Sequence, residues 1–117
     1  MKWFQYTQNN SGGSFVNDAN VSNYVLIQAP NNTLADSIAE AIVGIYFNGV
    51  EDGRDCDCCG DRWSAAWSQG YSEPLVYGKP PANYGDECVR IYPFGSFNPV
   101  SIKDLENLPK PMVIEPS

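Results

Sequence analysis

The sequence predicts an α+β fold in which a mainly antiparallel sheet carries one principal helix on one face, with a Cys-rich loop at its edge. Short alternating or β-branched runs recur along the chain, whereas one segment alone has strong helical periodicity. Clusters rich in Gly, Pro and Asn separate these runs and predict turns. The 117 residues fit a single domain, residues 1–117, with a C-terminal tail at about 109–117.

The first strands are predicted in the N-terminal quarter of the chain. Residues 2–7 alternate between bulky and polar side chains, and residues 14–16 return after a turn cluster, so together they predict a hairpin. Residues 24–28 are β-branched and almost continuously apolar, which suits the middle of a sheet. Two later short strands are predicted at residues 75–77 and 88–92.

One principal helix is predicted over residues 33–44. Thr33 with Asp36 three residues later resembles a capping box, and Gly44 is typical of a last helical turn. Apolar side chains recur at helical spacing and predict a buried face made of Leu34, Ile38, Ile42 and Ile45. A second, short helix is predicted over residues 101–108, capped by the serine that begins it.

The charge balance limits the classes of partner. Acidic residues outnumber basic residues by 14 to 7, no His is present, and the formal net charge is −7. Direct DNA or RNA binding depends on basic patches that release counterions, and the chain has no run of Lys or Arg. The sequence therefore predicts no direct nucleic-acid binding and favours basic protein partners.

The chain shows no targeting or membrane segment. Its first residues lack the apolar run of a signal peptide. The longest apolar stretch, residues 38–47, is interrupted and is too short to cross a bilayer. We therefore expect a cytoplasmic protein that does not enter a membrane, in which thiols stay reduced unless a metal binds them.

Three of the four cysteines lie within a single block of the chain, residues 55–63. Cys56-x-x-Cys59-Gly60 has the form of a zinc knuckle, because two thiolates at this spacing can chelate one ion while Gly permits the tight turn. Cys88 can supply a third ligand, and Cys58 or a nearby carboxylate a fourth. A second interpretation stays open, in which these thiols are reduced and partly buried in a tight loop.

The same block contains the best candidate for a recognition surface. Asp61, Arg62 and Trp63 are consecutive, and they combine a carboxylate, a guanidinium that can grip a phosphate or carboxylate, and an indole for stacking. Arg54 can add a second cation, and Trp67 falls on the same face as Trp63 in either a helix or a strand. We expect one tryptophan to be buried and Arg62 to be accessible. The alternative is an inward Arg–Asp pair that braces a core tryptophan.

Motifs for catalysis are weak in this sequence. No His is available as a general base, and the chain has neither a nucleophile elbow nor a phosphate-binding glycine loop. Paired carboxylates could still perform acid–base chemistry, since such pairs leave no sequence signature. The sequence favours a protein without enzymatic activity.

Two parts of the chain resemble one group of proteins. The segment from Ile45 through the Gly-rich lead into Cys-x-Cys-Cys-Gly-Asp-Arg-Trp, residues 56–63, resembles small uncharacterised proteins of tailed bacteriophages. The opening Lys2-Trp3-Phe4 and the turn cluster at residues 9–13 resemble them too, so the likeness covers roughly residues 1–67. The resemblance implies a phage setting, and therefore the host cytoplasm.

A phage setting leads to three expectations about function, since small phage accessory proteins often act against host defences. The first is a non-enzymatic protein that binds a host defence protein. The second is a sponge for a nucleotide-like immune signal, in which Arg54, Arg62 and the tryptophan pair clasp the ligand across a homo-oligomer interface. The third is a small enzyme that degrades such a signal.

Overall fold

The computed structural model describes residues 1–8, 17–47, 49–51, 53, 60–66 and 70–107. Three strands and two α-helices occur in these ranges. In chain order they are β1 (Lys2–Thr7), β2 (Tyr24–Ala29), α1 (Asn32–Ile38), β3 (Val89–Tyr92) and α2 (Ile102–Asn107). A π-helical segment, Ala39–Val43, continues α1, and a single 3₁₀ turn covers Pro81–Asn83.

The strands form a three-stranded mixed sheet in the order β1-β2-β3. β1 pairs antiparallel with β2, whereas β3 pairs parallel with β2. The prediction of an α+β fold with one principal helix is confirmed, as is the central place of β2, but the mainly antiparallel sheet is wrong. Parallel strands need a crossover of a dozen or more residues, and the long connection through α1 and residues 44–88 supplies it.

Alternation along the strands creates a hydrophobic cluster on each face of the sheet. The cluster on the α1 face includes Phe4, Tyr6, Val25, Ile27 and Tyr92, together with the buried side of the helix. The cluster on the opposite face is smaller and is made of Trp3, Leu26, Val76, Val89 and Ile91. Both faces of β2 are therefore covered, which explains its almost continuous apolar sequence.

The helix begins one residue earlier than predicted, and its buried face is displaced by one position from the predicted face. Asn31 is its N-cap, and its side-chain Oδ1 accepts a hydrogen bond of 2.8 Å from the Leu34 N–H, so the predicted Thr33 capping box is wrong. Leu34 is 37% exposed, and the buried positions are Ala35, Ala39 and Val43. Small side chains on this face allow the helix to lie close to the sheet.

Gly44 ends the helical segment, as predicted. Its φ of 90° lies in the left-handed region that favours glycine. The N–H groups of Gly44 and Ile45 both donate to the Ala39 carbonyl at 2.9 Å. Ile45 then returns to the core, with 3% exposure.

Predictions for the later elements have mixed outcomes. Helix α2 is confirmed, and the Ser101 Oγ accepts a hydrogen bond of 3.1 Å from the Asp104 N–H. The predicted strand at residues 75–77 is wrong, because Val76 forms an isolated bridge with Lys79 across a tight turn. The predicted strand at 14–16, the Cys-rich loop and the tail lie outside the described residues. In the ranges that are described, no helix is both long and apolar enough to cross a membrane.

Candidate functional site

Trp63 is a core residue. It is 2% exposed and belongs to the hydrophobic cluster on the α1 face of the sheet. This confirms the expectation that one tryptophan of the pair is well buried. The other residues predicted beside it lie outside the described residues: Arg54, Cys56, Cys58, Cys59 and Trp67.

Arg62 lies inside the protein, not on its surface. The side chain is 8% exposed, and its Nη1 donates a hydrogen bond of 2.8 Å to the Gln8 Oε1. The Gln8 Nε2 in turn donates to the Ser22 carbonyl at 2.9 Å. The expectation of an accessible guanidinium is therefore wrong. The structure agrees better with the alternative of an inward brace, with Gln8 as a partner that the sequence did not indicate.

Asp61 has a structural contact of its own. The residue is exposed, and its Oδ1 accepts a hydrogen bond of 2.9 Å from the Val50 N–H. This bond ties the start of the segment at residues 60–66 to the turn at residues 49–51. Arg62 points inward and Asp61 supports a turn, so both residues make contacts within the fold, and the role of this cluster in binding stays a prediction.

Cys88 immediately precedes β3. It is half-buried, is a free thiol, and packs against the hydrophobic cluster that lies opposite α1. Across the described ranges, no three or more His, Cys, Asp and Glu side chains are grouped as a metal site requires. The zinc hypothesis also needs Cys56 and Cys59, which fall outside those ranges, so it stays a prediction.

Asp36 connects three parts of the molecule. Its Oδ1 accepts one hydrogen bond of 2.7 Å from the Tyr6 hydroxyl and another of 2.9 Å from the Ala66 N–H. Burial, followed by the hydrogen bond to Asp36, raises the pKa of Tyr6 far above its ordinary value. The carboxylate of α1 thereby fixes residues 64–66 beside β1.

An open groove runs along the outer edge of β1. Its volume is about 340 Å³, within the range of about 300–1,000 Å³ that is usual for ligand pockets. Small side chains at residues 64–66 line one part of it. The other lining residues are Phe4, Gln5, Thr7, Tyr71 and Tyr77.

One end of the groove is closed by a short pairing on the edge of β1. Trp3 donates to the Tyr71 carbonyl at 2.7 Å, and Tyr71 donates to the Trp3 carbonyl at 2.8 Å. Gly70 makes this approach feasible, since a Cβ at that position would lie 2.5 Å from the Lys2 Cβ. Tyr71 itself is 47% exposed and is therefore available at the groove surface.

Tyr77 stands at the tip of a strained turn beside the groove. Its φ of 51° is in the left-handed region, which costs a residue with a side chain about 1–2 kcal/mol. The Val76–Lys79 bridge closes the turn, and the Tyr77 N–H donates to the Gln5 Oε1 at 2.9 Å. The side chain is 63% exposed. Backbone strain beside a groove is a reason to consider a functional role for the residue.

Few features of the sequence indicate this groove. Leu75-Val76-Tyr77 was expected to form a strand, because its side chains have high β-propensity. The available signal was Gly78, whose φ of 78° allows the turn that Tyr77 begins. Tyr71 pairs with Trp3, which lies 68 positions earlier in the sequence. No local sequence pattern predicts a pairing over that separation.

The described residues thus define a small α+β protein with an aromatic groove along one open sheet edge. A family model described as a domain of unknown function (DUF7296) matches residues 1–95, and the chain belongs to that family. Neither the curated proteins nor the solved structures gave a match. The matched residues include all three strands, α1 and every residue that lines the groove.

Proposed function

We propose that this chain is a non-enzymatic binding protein whose groove along β1 recognises another protein. In the phage setting expected from the sequence, the partner is a host protein of antiviral defence, and binding in the host cytoplasm blunts that defence. The observation that carries the proposal is the exposure of Tyr71 and Tyr77 around a groove of about 340 Å³. Tyrosines are enriched at protein interfaces, because each ring combines apolar area with a polar tip.

The chemistry of the groove supports binding over catalysis. Its lining consists of apolar, hydroxyl and amide side chains, and no carboxylate, thiol or amine is among the described lining residues. Covalent and acid–base catalysis rely most often on His, carboxylate, thiol or amine groups, and the described lining offers only hydroxyl groups for such chemistry. A surface of this composition is suited to contact and shape recognition.

The position of Arg62 favours a protein partner over a nucleotide-like ligand. A nucleotide sponge would use guanidinium groups to hold phosphates. Arg62 donates to Gln8 and is 8% exposed, so it serves the interior of the fold. The net charge of −7 also opposes the approach of a polyanionic ligand.

A reconstituted complex tests this proposal. The tagged chain is expressed in host bacteria, the co-purifying host protein is identified, and the complex is rebuilt from purified components and measured by calorimetry. Ala65→Arg places a long charged side chain in the groove and is expected to weaken binding by at least about tenfold. Ala41→Arg, on the exposed side of the helical segment, is the matched control and is expected to bind normally.

Plating efficiency gives the functional readout. A defence-sensitive phage should form more plaques on cells that carry a defence system and express the wild-type chain than on the same cells expressing Ala65→Arg. The proposal is overturned if no host protein binds the purified chain, or if Ala65→Arg and Ala41→Arg bind equally well. Release of an intact nucleotide from the denatured protein would favour the sponge instead.

A further inference from the structure

We infer that the partner presents an extended, cationic peptide segment that adds to the outer edge of β1 as a fourth strand, beside Gln5 and Thr7. This inference rests on the proposed function and specifies how the groove is used. Strand addition obtains its affinity from main-chain hydrogen bonds and its specificity from pockets for alternate side chains. The described residues of β1 and the groove provide main-chain groups for such bonds and surfaces for alternate side chains.

The main chain of β1 offers the necessary donors and acceptors. In an antiparallel pair, successive residues direct their N–H and C=O groups alternately toward the partner strand and away from it. Trp3 directs both groups away from β2, because both pair with Tyr71. Gln5 and Thr7 follow at the same two-residue period, and no described residue meets their outward N–H and C=O groups.

Described residues border the groove on each side of the β1 edge. On the α1 side, the Asp36 hydrogen bond to the Ala66 N–H holds small side chains at residues 64–66 beside the edge. On the opposite side, the Gln5 side chain holds the Tyr77 turn through a hydrogen bond of 2.9 Å. Among the described residues, none pairs with the outer edge of β1 at Gln5 and Thr7, and Tyr71 closes one end.

Alternate side chains of the added strand meet two different surfaces. One set points toward Ala65 and Ala66, where an apolar side chain finds small neighbours. The other set points toward the exposed ring of Tyr77, over which a Lys or Arg side chain gains a cation–π contact. The recognised segment is thus expected to alternate apolar and basic residues.

Charge selects a cationic partner over a second copy of this chain. The formal net charge is −7, so two copies repel each other, whereas a basic peptide is attracted. The Asp36 carboxylate adds a local negative charge at the 64–66 wall. Open sheet edges readily pair with another chain, and like charge is one means by which proteins prevent self-pairing.

Amide hydrogen exchange on the full chain, followed by NMR, tests the edge without any partner. The Gln5 and Thr7 amides are expected to exchange at least about tenfold faster than those of Phe4 and Tyr6, which face β2. Equal protection of all four amides in the monomer would overturn the inference. Protection that appears only with a concentration-dependent dimer would assign the edge to a second copy, and would overturn it as well.

A randomised decapeptide library, displayed and selected on the purified chain, supplies the probe. Selected peptides are expected to alternate apolar and basic residues and to protect the Gln5 and Thr7 amides on binding. Methylation of the peptide nitrogens that face β1 should weaken binding by about threefold to tenfold for each lost hydrogen bond. The inference fails if no peptide is selected, or if the selected peptides protect other amides.

A matched pair of variants separates the main chain of Thr7 from its side chain. Thr7→Pro removes the outward N–H without removing a ladder bond to β2, and Thr7→Val removes only the hydroxyl. Circular dichroism confirms that both fold, and Thr7→Pro alone is expected to bind the selected peptides about tenfold more weakly. Equal binding by the two variants would overturn strand addition. If Ala65→Arg still abolishes host-protein binding in that case, the proposed function survives and only this mode of recognition fails.

Discussion

Arg62 and Tyr77 lie in two regions of the molecule, and each is held by a glutamine side chain with a different structural result. Each donates a hydrogen bond to a glutamine amide oxygen, Arg62 to Gln8 at 2.8 Å and Tyr77 to Gln5 at 2.9 Å. Arg62 is 8% exposed, whereas Tyr77 is 63% exposed. One contact holds a charged side chain inside the fold, and the other holds a strained main chain that displays an aromatic ring outside it.

The difference in exposure between Arg62 and Tyr77 helps to distinguish a structural residue from a candidate binding residue. Burying a guanidinium is costly unless hydrogen bonds compensate, and the bond from Arg62 to Gln8 offsets part of that cost. Tyr77 costs free energy through its φ of 51° and obtains little burial in return. Arg62 therefore contributes inside the fold, whereas the strained turn and exposed ring of Tyr77 motivate a functional hypothesis for that residue.

The largest effect is expected for Trp63→Ala, on the buried side of this comparison. Trp63 is 2% exposed in the cluster against α1, so its truncation should lower the free energy of unfolding by about 3–5 kcal/mol. Urea denaturation measures the change, and Trp63→Phe serves as the milder control. A loss below about 1 kcal/mol would show that Trp63 is not a core anchor.

The next largest change in stability is expected for Arg62→Ala, which tests the buried region directly. It removes a donor to the buried Gln8 Oε1, which should destabilise the protein by about 1–3 kcal/mol. Gln8→Ala is the matched variant, and the double variant should lose less than the sum of the two single losses. Unchanged stability with lost partner binding would instead restore Arg62 as a recognition residue.

Much of the fold could be predicted because local patterns determine it. The alternation in β1, the apolar run in β2 and the glycine that ends the helical segment were each visible in sequence. The parallel pairing of β3 was not, because it depends on the path of the long crossover between β2 and β3. The helix face was misassigned because Leu34 is larger and more apolar than the alanines that are buried.

The candidate site was harder to predict than the fold. The densest cluster of chemically versatile side chains in the sequence was Asp61, Arg62 and Trp63. Burial decides whether such residues bind a partner or support the fold, and burial cannot be read from the sequence. The groove depends on a hydrogen bond that the Tyr77 N–H donates to Gln5 across 72 positions, and on the pairing of Trp3 with Tyr71. Long-range contacts of this kind leave no local pattern.

Tyr92→Phe contrasts a buried tyrosine with the exposed Tyr77. The Tyr92 hydroxyl donates to the Asn20 carbonyl at 2.7 Å, so its removal should cost about 0.5–1.5 kcal/mol at neutral pH. Burial, assisted by the charge of Asp18 and opposed by that of Arg90, raises the pKa of Tyr92 from 10.0 to about 12. The folded state therefore favours the neutral phenol.

The sign of the pH dependence follows from that shift. Below pH 10 the phenol is neutral in both states, and its contribution to stability is fully present. As the pH rises from 10.0 toward about 12, the unfolded chain ionises first and the contribution is lost. Thermal unfolding across this interval should show the advantage of wild type over Tyr92→Phe shrinking. A constant difference would mean that Tyr92 titrates normally in the folded protein.

Tyr77→Asn is expected to have the smallest effect on stability and a large effect on binding, which makes it the sharpest test of the comparison. Asn tolerates the left-handed conformation, so the variant recovers the strain of about 1–2 kcal/mol. It also loses the edge-to-face contact with Tyr24 at 5.8 Å, worth about 0.5–1.5 kcal/mol. The two terms nearly cancel, and the free energy of unfolding should change by less than about 1 kcal/mol.

Binding of the reconstituted host protein should nevertheless weaken by at least about tenfold, because the exposed ring is the part of the residue that a partner can reach. Urea denaturation and calorimetry on the same preparation measure the two quantities. Tyr77→Phe is the control, since it keeps the ring and the strain and removes only the hydroxyl, and it should retain most of the affinity. If Tyr77→Asn lost more than about 2 kcal/mol of stability and bound normally when folded, the turn would be a structural element like Arg62, and the distinction between the two regions would fail.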